Sequence, residues 1–442
     1  MSGSLYIKIL RLGLPILIGQ LGSIVVGFAD TAMVGRYSTQ ALASASFVNS
    51  MFNTAIFTSL GFAYGLTPLI GSLFSQQRYG RIGALMRSAT AANLLFALLI
   101  SVIMICLYLN IEHLGQPEEL IPLIKPYFLI VLSGMIPLAL FNTFAQWSYA
   151  INHTRMPMWI ILGANALNIL GNYLLIYGNW GCPELGLIGA GIATLTSRIV
   201  CAAVIIAIFL CSRKYREYRI GFTSARTSSS DISMVSNASW PVALQMSFES
   251  GSFTIAAMMS GWIGEIALAS FQVIVILGSL GFCVYYSMAA AVAVLVSNAA
   301  GLSDRILMRR TAMSGYVILL AIATLSSLSF WLFGADIIHI FTNDPRVIAM
   351  SLTLIIPLIM YQYGDATQIS FANSLRGTSN VMPMMWISFV SYIIVGIPAT
   401  YLLGFTAGLG LYGILLSFSV SLFLAGALFL YFFMRTTRRQ LR

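Results

Sequence analysis

The sequence predicts an all-α membrane protein of twelve transmembrane helices in two six-helix lobes, related by a pseudo-twofold axis along the membrane normal. Three observations carry that expectation. The 442 residues are 59% hydrophobic and only 8% charged, with a mean hydropathy of +0.89, whereas soluble domains carry about 25% charged residues. Apolar stretches of about 20 residues or more, the length that crosses a bilayer as a helix, recur along the chain. The second half also repeats landmarks of the first at near-constant spacing.

The apolar spans fall at roughly 9–34, 43–74, 85–110, 121–150, 157–178, 186–211, 234–262, 267–300, 311–334, 347–375, 382–405 and 409–434. Helices are expected because each satisfies its own backbone in lipid. The first span follows Lys8 and Arg11, and ALASA at 41–45 resembles a signal-peptidase site. The run is too long for a signal segment and contains Asp30, so a retained helix is expected. Pro15 and Pro241 should bend helices 1 and 7, each removing a backbone donor, although membrane helices also tolerate proline without consequence. The five cysteines, Cys106, Cys182, Cys201, Cys211 and Cys283, have no CxxC or metal spacing. Four lie in or at the ends of spans and read as small core residues.

Pro15 and Pro241, Ala41 and Ala267, and Pro157 and Pro383 are each 226 residues apart, and LGLIG at 185–189 returns as LGLYG 224 residues later. That interval holds an even number of spans, so the halves share one orientation, as in parallel-repeat transporters. The expected division is an N-lobe at 1–211, a basic, serine-rich link at 212–233 and a C-lobe at 234–442.

With both termini and the even-numbered loops on one side, that side receives nineteen Lys and Arg residues, Arg439 and Arg442 among them. The other receives Arg36, Lys125 and Arg346. The positive-inside rule makes the first side cytoplasmic, so Ser228 is expected inside and Gln116 outside. The net charge of +10 is thereby assigned to cytoplasmic loops facing the bilayer, and not to nucleic-acid binding.

Acids within spans carry the functional reading. Asp30, Glu249 and Asp365 are the three, in helices 1, 7 and 10, and the repeat places Ala256, Ser23 and Ala139 opposite them. A charged residue at mid-bilayer costs about 2.5–3.5 kcal/mol on insertion scales, so such residues face an interior and serve function. Tyr361 shares a helix face with Asp365, Asn168 with Asn172, and Thr194 with Arg198, each pair four apart. Carboxylate, amide and hydroxyl oxygens suit a hard cation such as sodium, and a desolvated carboxylate can instead carry a proton. For the amide and hydroxyl pairs, plain interhelical hydrogen bonding is the competing reading. Arg198, near mid-helix, could pair with Asp30, bind an anionic group of a substrate, or snorkel. No nucleotide, nucleophile or metal constellation suggests an enzyme or a resident cofactor.

In order along the chain, FADTAMVG around Asp30, GLTPLIGSLFSQQ at 65–77, LNILGNY, LGLIGAGIAT, SFES with Glu249, YQYGDATQ with Tyr361 and Asp365, and SLRGTSNVMPM at 374–384 resemble the multidrug and toxic compound extrusion (MATE) family. The resemblance covers essentially the whole chain. The expected place is the plasma membrane (the inner membrane in a Gram-negative bacterium), as a multi-pass monomer whose termini the charge bias puts in the cytoplasm. The resemblance implies export of amphipathic, often cationic small molecules by alternating access, driven by Na+ or H+. Asp30, Asn168, Asn172 and Thr194 match the family's N-lobe cation or substrate site. Glu249, Tyr361 and Asp365 match the C-lobe cation site of its bacterial sodium-coupled branch, which favours sodium. Two positions depart from the pattern: Asn172 stands where some members have Asp, and Val26 where some have Tyr. The alternative within the superfamily is a flippase for a lipid-linked sugar or other lipid, which should need a basic cavity.

Overall fold

The computed structural model describes residues 2–113 and 117–438; Gln116, Arg439 and Arg442 lie outside them. The described chain is helical throughout. Its elements are α1 (Ser2–Tyr37), α2 (Thr39–Tyr64), α3 (Leu66–Ser75), α4 (Tyr79–Leu109), α5 (Ile121–Ser133), α6 (Met135–Ala150), α7 (Arg155–Tyr177), α8 (Leu187–Cys211), α9 (Arg216–Ser224) and α10 (Ser229–Ile263). Then come α11 (Glu265–Gly301), α12 (Arg305–His339), α13 (Pro345–Thr353), α14 (Ile355–Gly377), α15 (Met382–Ser388), α16 (Ile397–Tyr401) and α17 (Gly410–Arg438). Among the described residues ten helical segments are long and apolar enough to span a membrane, and α13 with α14, bent by 54°, makes an eleventh. The remaining long helix is α10, whose serines, Asp231 and Glu249 dilute its apolar character. Together these are the twelve expected spans.

Three spans expected as single helices are broken. The second breaks at Gly65, where a Cβ would lie 2.5 Å from the Ser239 backbone. The fourth breaks at Gly134, and the tenth at Leu354. The eleventh carries two π-helical stretches, Phe389–Gly396 and Leu402–Thr406. Pro15 and Pro241 both sit inside unbroken helices. Of the cysteines only Cys283 is buried; Cys106 and Cys211 lie on the exposed helical surface, so they are not core residues.

The chain forms two compact units, one of Met1–Leu17 with Leu244–Arg442 and one of Ile18–Ala243. Each unit boundary falls two residues after one of the repeated prolines. In lipid, helices associate through close packing and small residues, because apolar burial between them gains little. In the Ile18–Ala243 unit, Gly189 of α8 lies against the Leu175 carbonyl of α7, where a Cβ would be 2.4 Å away. Gly171 of α7 meets Ala193 of α8 at 2.9 Å by the same measure. Trp147, fully buried, stacks edge-on with Phe209 (4.8 Å) and Tyr215 (4.9 Å). That cluster joins α6 and α8 to the basic link, which folds as a short turn and α9. Arg81 of α4 holds the far end of the link through a two-pronged ion pair with Asp231, at 2.8 and 2.5 Å.

In the other unit α14 is the enclosed helix, packed by α11, α12 and α17. Its crossings also rest on glycine. Gly377 lies against the Ala293 carbonyl (2.8 Å for a Cβ), and Gly426 of α17 lies against Thr367 (2.9 Å). Only such close approach buries the polar run YQYGDATQ within the unit.

Candidate functional site

In the Ile18–Ala243 unit the α7–α8 packing sets a polar chain. Asn168 donates from Nδ2 to Thr194 Oγ1 at 3.1 Å, and Asn172 Nδ2 donates to Asn168 Oδ1 at 3.2 Å. Asn172 also donates to Asp30 of α1. Gly22 lets α1 approach α7: a Cβ there would lie 2.9 Å from Leu162 and 3.0 Å from Asn165. Both asparagines are buried while Asp30 and Thr194 are half-buried. The four residues singled out in sequence therefore meet, and Asn172 Oδ1 keeps no hydrogen-bond partner among the described residues.

Arg198 does not complete this chain as an ion pair. No contact within 4.0 Å joins it to Asp30 among the described residues, although the two, with Tyr127, act on one another electrostatically. Its guanidinium lies against Gly134, where a Cβ would be 2.9 Å from Nη1. The break between α5 and α6 thus gives the side chain its room.

The second constellation lies in the unit that contains Leu244–Arg442. Glu249, Tyr361 and Asp365 are 8%, 8% and 1% exposed. The side-chain amides of Gln245 and Gln368 lie beside the Glu249 carboxylate, and Asp365 lies near enough to feel its charge. Gly278 and Gly281 of α11 open a trough for α14, since a Cβ would meet Tyr361 at 3.1 Å and Gln362 at 2.4 Å. Tyr285 donates to Gln362 at 2.7 Å, and Phe253 meets the Tyr361 ring edge-on at 6.3 Å. Buried polar atoms here without a hydrogen-bond partner among the described residues include Asp365 Oδ2, Gln362 Nε2, Gln368 Oε1 and the Tyr392 hydroxyl.

Sequence reasoning missed two of these neighbours. Gln245 stands one turn before Glu249, so the four-residue spacing could have found it. Tyr392 left no such signal, because its place beside Glu249, Asp365 and Tyr361 follows from the π-helical stretch of its own span. Among the described residues no three His, Cys, Asp or Glu side chains gather. The set is instead two carboxylates with neutral oxygens, a donor set for a hard monovalent cation or a proton.

Fold and site together define a polytopic helical membrane protein with an acidic polar centre in each of its two units. The MatE family profile matches residues 15–174 and 241–402, and the chain belongs to that family, one of transporters and not of enzymes. Its relatives include proteins named "Probable multidrug resistance protein NorM". That of Photorhabdus laumondii is 26% identical over 403 residues, covering 90% of this chain and 88% of its own. That of Geobacillus kaustophilus is 27% identical over 436 residues, covering 98% and 95%. A crystal structure of a mutant of the Vibrio cholerae MATE transporter VcmN superposes with a TM-score of 0.88 at 16% identity, covering 100% of this chain and 98% of that one.

Proposed function

We propose that the protein is a cation-coupled multidrug exporter working by alternating access. The observation that carries the reading is the burial of Glu249 and Asp365 in one unit, where neither forms an ion pair among the described residues. A buried carboxylate without compensation costs several kcal/mol, so a bound cation or a proton must accompany each ionisation change. The unpartnered oxygens of Asp365 and Gln368 favour sodium, held by Glu249, Tyr361 and Asp365. The multidrug resistance in the names of the NorM relatives supports drugs as the cargo.

In this reading Asp30, Asn168, Asn172 and Thr194 form a second, less acidic centre that links substrate to cation, and Arg198 tunes the charge at Asp30. The repeat divides the chain at 1–211 and 234–442 into two lobes, with the link between them. The transporter works as a monomer in a bacterial plasma membrane, both termini cytoplasmic. The test is drug transport in proteoliposomes with sodium and pH gradients imposed separately. An imposed sodium gradient should drive transport without a pH gradient. Transport driven by pH alone would make the proton the coupling ion, and transport indifferent to both would refute coupling.

A further inference from the structure

Where α14 and α17 run out, a groove of about 1150 Å³ opens between the start of α12, the turn before α15, α15 itself and the last turns of α17. Arg305 and Arg435 line it, and among the described residues no carboxylate does. The nearby Asp304 is engaged in capping α12, accepting from the Leu307 backbone at 2.9 Å. Two hydrogen bonds build the walls: Asn380 Nδ2 to Thr436 Oγ1 at 2.9 Å, and Arg309 Nε to Thr437 Oγ1 at 2.9 Å.

Away from the arginines the lining turns apolar along two helical faces. On α17 Phe432 and Leu428 follow Arg435 inward at three- and four-residue spacing; on the facing span Val390 follows Trp386 one turn on. At 1.5 Å per residue, the wall from Arg435 to Leu428 is about 10 Å long. Two guanidinium-bearing side chains lining one groove suit a phosphate, and an apolar track leading from them suits an acyl chain. Among the described residues the lining offers no carboxylate to a choline or ethanolamine ammonium, and the two arginines repel cationic drugs.

We propose that this groove binds an anionic phospholipid, its phosphate between Arg305 and Arg435 and one acyl chain along Phe432, Leu428 and Trp386. Basic pockets between helix ends at a membrane surface recognise lipid headgroups by this chemistry. The groove shares no residue with either acidic centre.

The experiment is native mass spectrometry of the full chain in detergent, titrated with phosphatidylglycerol or phosphatidylcholine, with inorganic phosphate as competitor. Wild type should prefer phosphatidylglycerol, and Arg305→Gln with Arg435→Gln should weaken that binding about tenfold or more, while the paired Lys variants keep most of it. Equal binding by the Gln variant, or displacement of the lipid by millimolar phosphate, would overturn the proposal. A second readout locates the chain: phosphatidylglycerol brominated on its acyl chains should quench tryptophan fluorescence, and Trp386→Phe should remove part of that quenching. Quenching unchanged by Trp386→Phe would overturn the proposal even if the arginine variants failed to fold.

Discussion

Asn172 of α7 donates a side-chain hydrogen bond to Asp30, so the only carboxylate of α1 is held by an amide and not by the guanidinium of Arg198. Asn168 and Thr194 extend that contact into α8. The arrangement separates two roles of Asp30 under mutation. Asp30→Asn keeps the side chain's size and strands no ion-paired arginine. Its stability should therefore change by only about 0.5–1.5 kcal/mol, the worth of one altered hydrogen bond. Driven drug efflux should be lost, because the site can no longer change its charge with its ligand. Melting temperature and efflux of Asp30→Asn, Arg198→Gln and the double variant decide the matter. A fall of roughly 3–5 kcal/mol in the single Asp30 variant, recovered in the double, would show a structural ion pair instead.

The C-terminal centre makes a different prediction. If sodium sits with Glu249, Tyr361 and Asp365, it binds the folded protein alone and stabilises it by mass action, about 2.7 kcal/mol at a hundredfold excess over its dissociation constant. Sodium should raise the melting temperature of wild type relative to potassium. Glu249→Gln and Asp365→Asn should abolish the difference, and Tyr392→Phe should reduce it. Sodium stabilisation persisting in both carboxylate variants would place the ion elsewhere.

Much of this was legible in the sequence, and the limits have physical causes. Hydropathy and the 226-residue repeat marked the spans because lipid allows few alternatives to a long apolar helix. Asp30, Asn168, Asn172 and Thr194 could be grouped only through the resemblance to the family, since helical spacing by itself offered just the pairs Asn168 with Asn172 and Thr194 with Arg198. The breaks at Gly65 and Gly134 were not legible: glycine is common in membrane helices, and only the neighbour each meets, Ser239 or Arg198, makes it a break point. Tyr392 belongs with the carboxylates through a π-helical shift that no periodicity announces. The exposed Cys106 and Cys211 misled for a simple reason: a small apolar residue faces lipid as readily as it faces a core.

The charge bias predicts the topology, and labelling checks it. Thr227, in the basic link, and Glu118, before α5, are described and separated by three spans. Cysteines placed at each in a background lacking the native five should react with an impermeant reagent from opposite membrane faces. Reaction from one face would refute the orientation.

The docking of α9 on α4 rests on two glycines. A Cβ at Gly83 would lie 1.9 Å from the Tyr218 carbonyl oxygen, and one at Gly221 would lie 2.0 Å from that of Gly80. Both obstacles are backbone, so no side chain can move aside. Gly83→Ala or Gly221→Ala should destabilise by about 1–3 kcal/mol or more, the cost of overpacking. Trypsin should then cut faster at the arginines of the link. Gly163→Ala in α7, with nothing within 4 Å, is the control and should be neutral or slightly stabilising. Equal proteolysis in all three variants would show that the crossing yields more readily than its geometry implies.

The same region should make stability depend on pH, through His153. This residue lies in the turn between α6 and α7, half-buried, with Nδ1 3.0 Å from the Tyr215 hydroxyl. Tyr215 carries Lys214 over its ring at 6.0 Å. Burial first, and then the Lys214 charge, push the His153 imidazole below its ordinary value of 6.5. The sign follows from proton binding. Below about pH 6.5 the unfolded chain takes up a proton that the folded chain resists, so the unfolded state binds more protons and stability falls as pH falls. The contribution is fully present above the unfolded value and is lost as the pH drops through it toward the lower folded one. Wild type should therefore lose melting temperature between pH 7.5 and 5. His153→Gln, which cannot titrate, should lose less, and Lys214→Met should lie between the two. Parallel pH profiles for wild type and His153→Gln would assign the acid sensitivity to other groups.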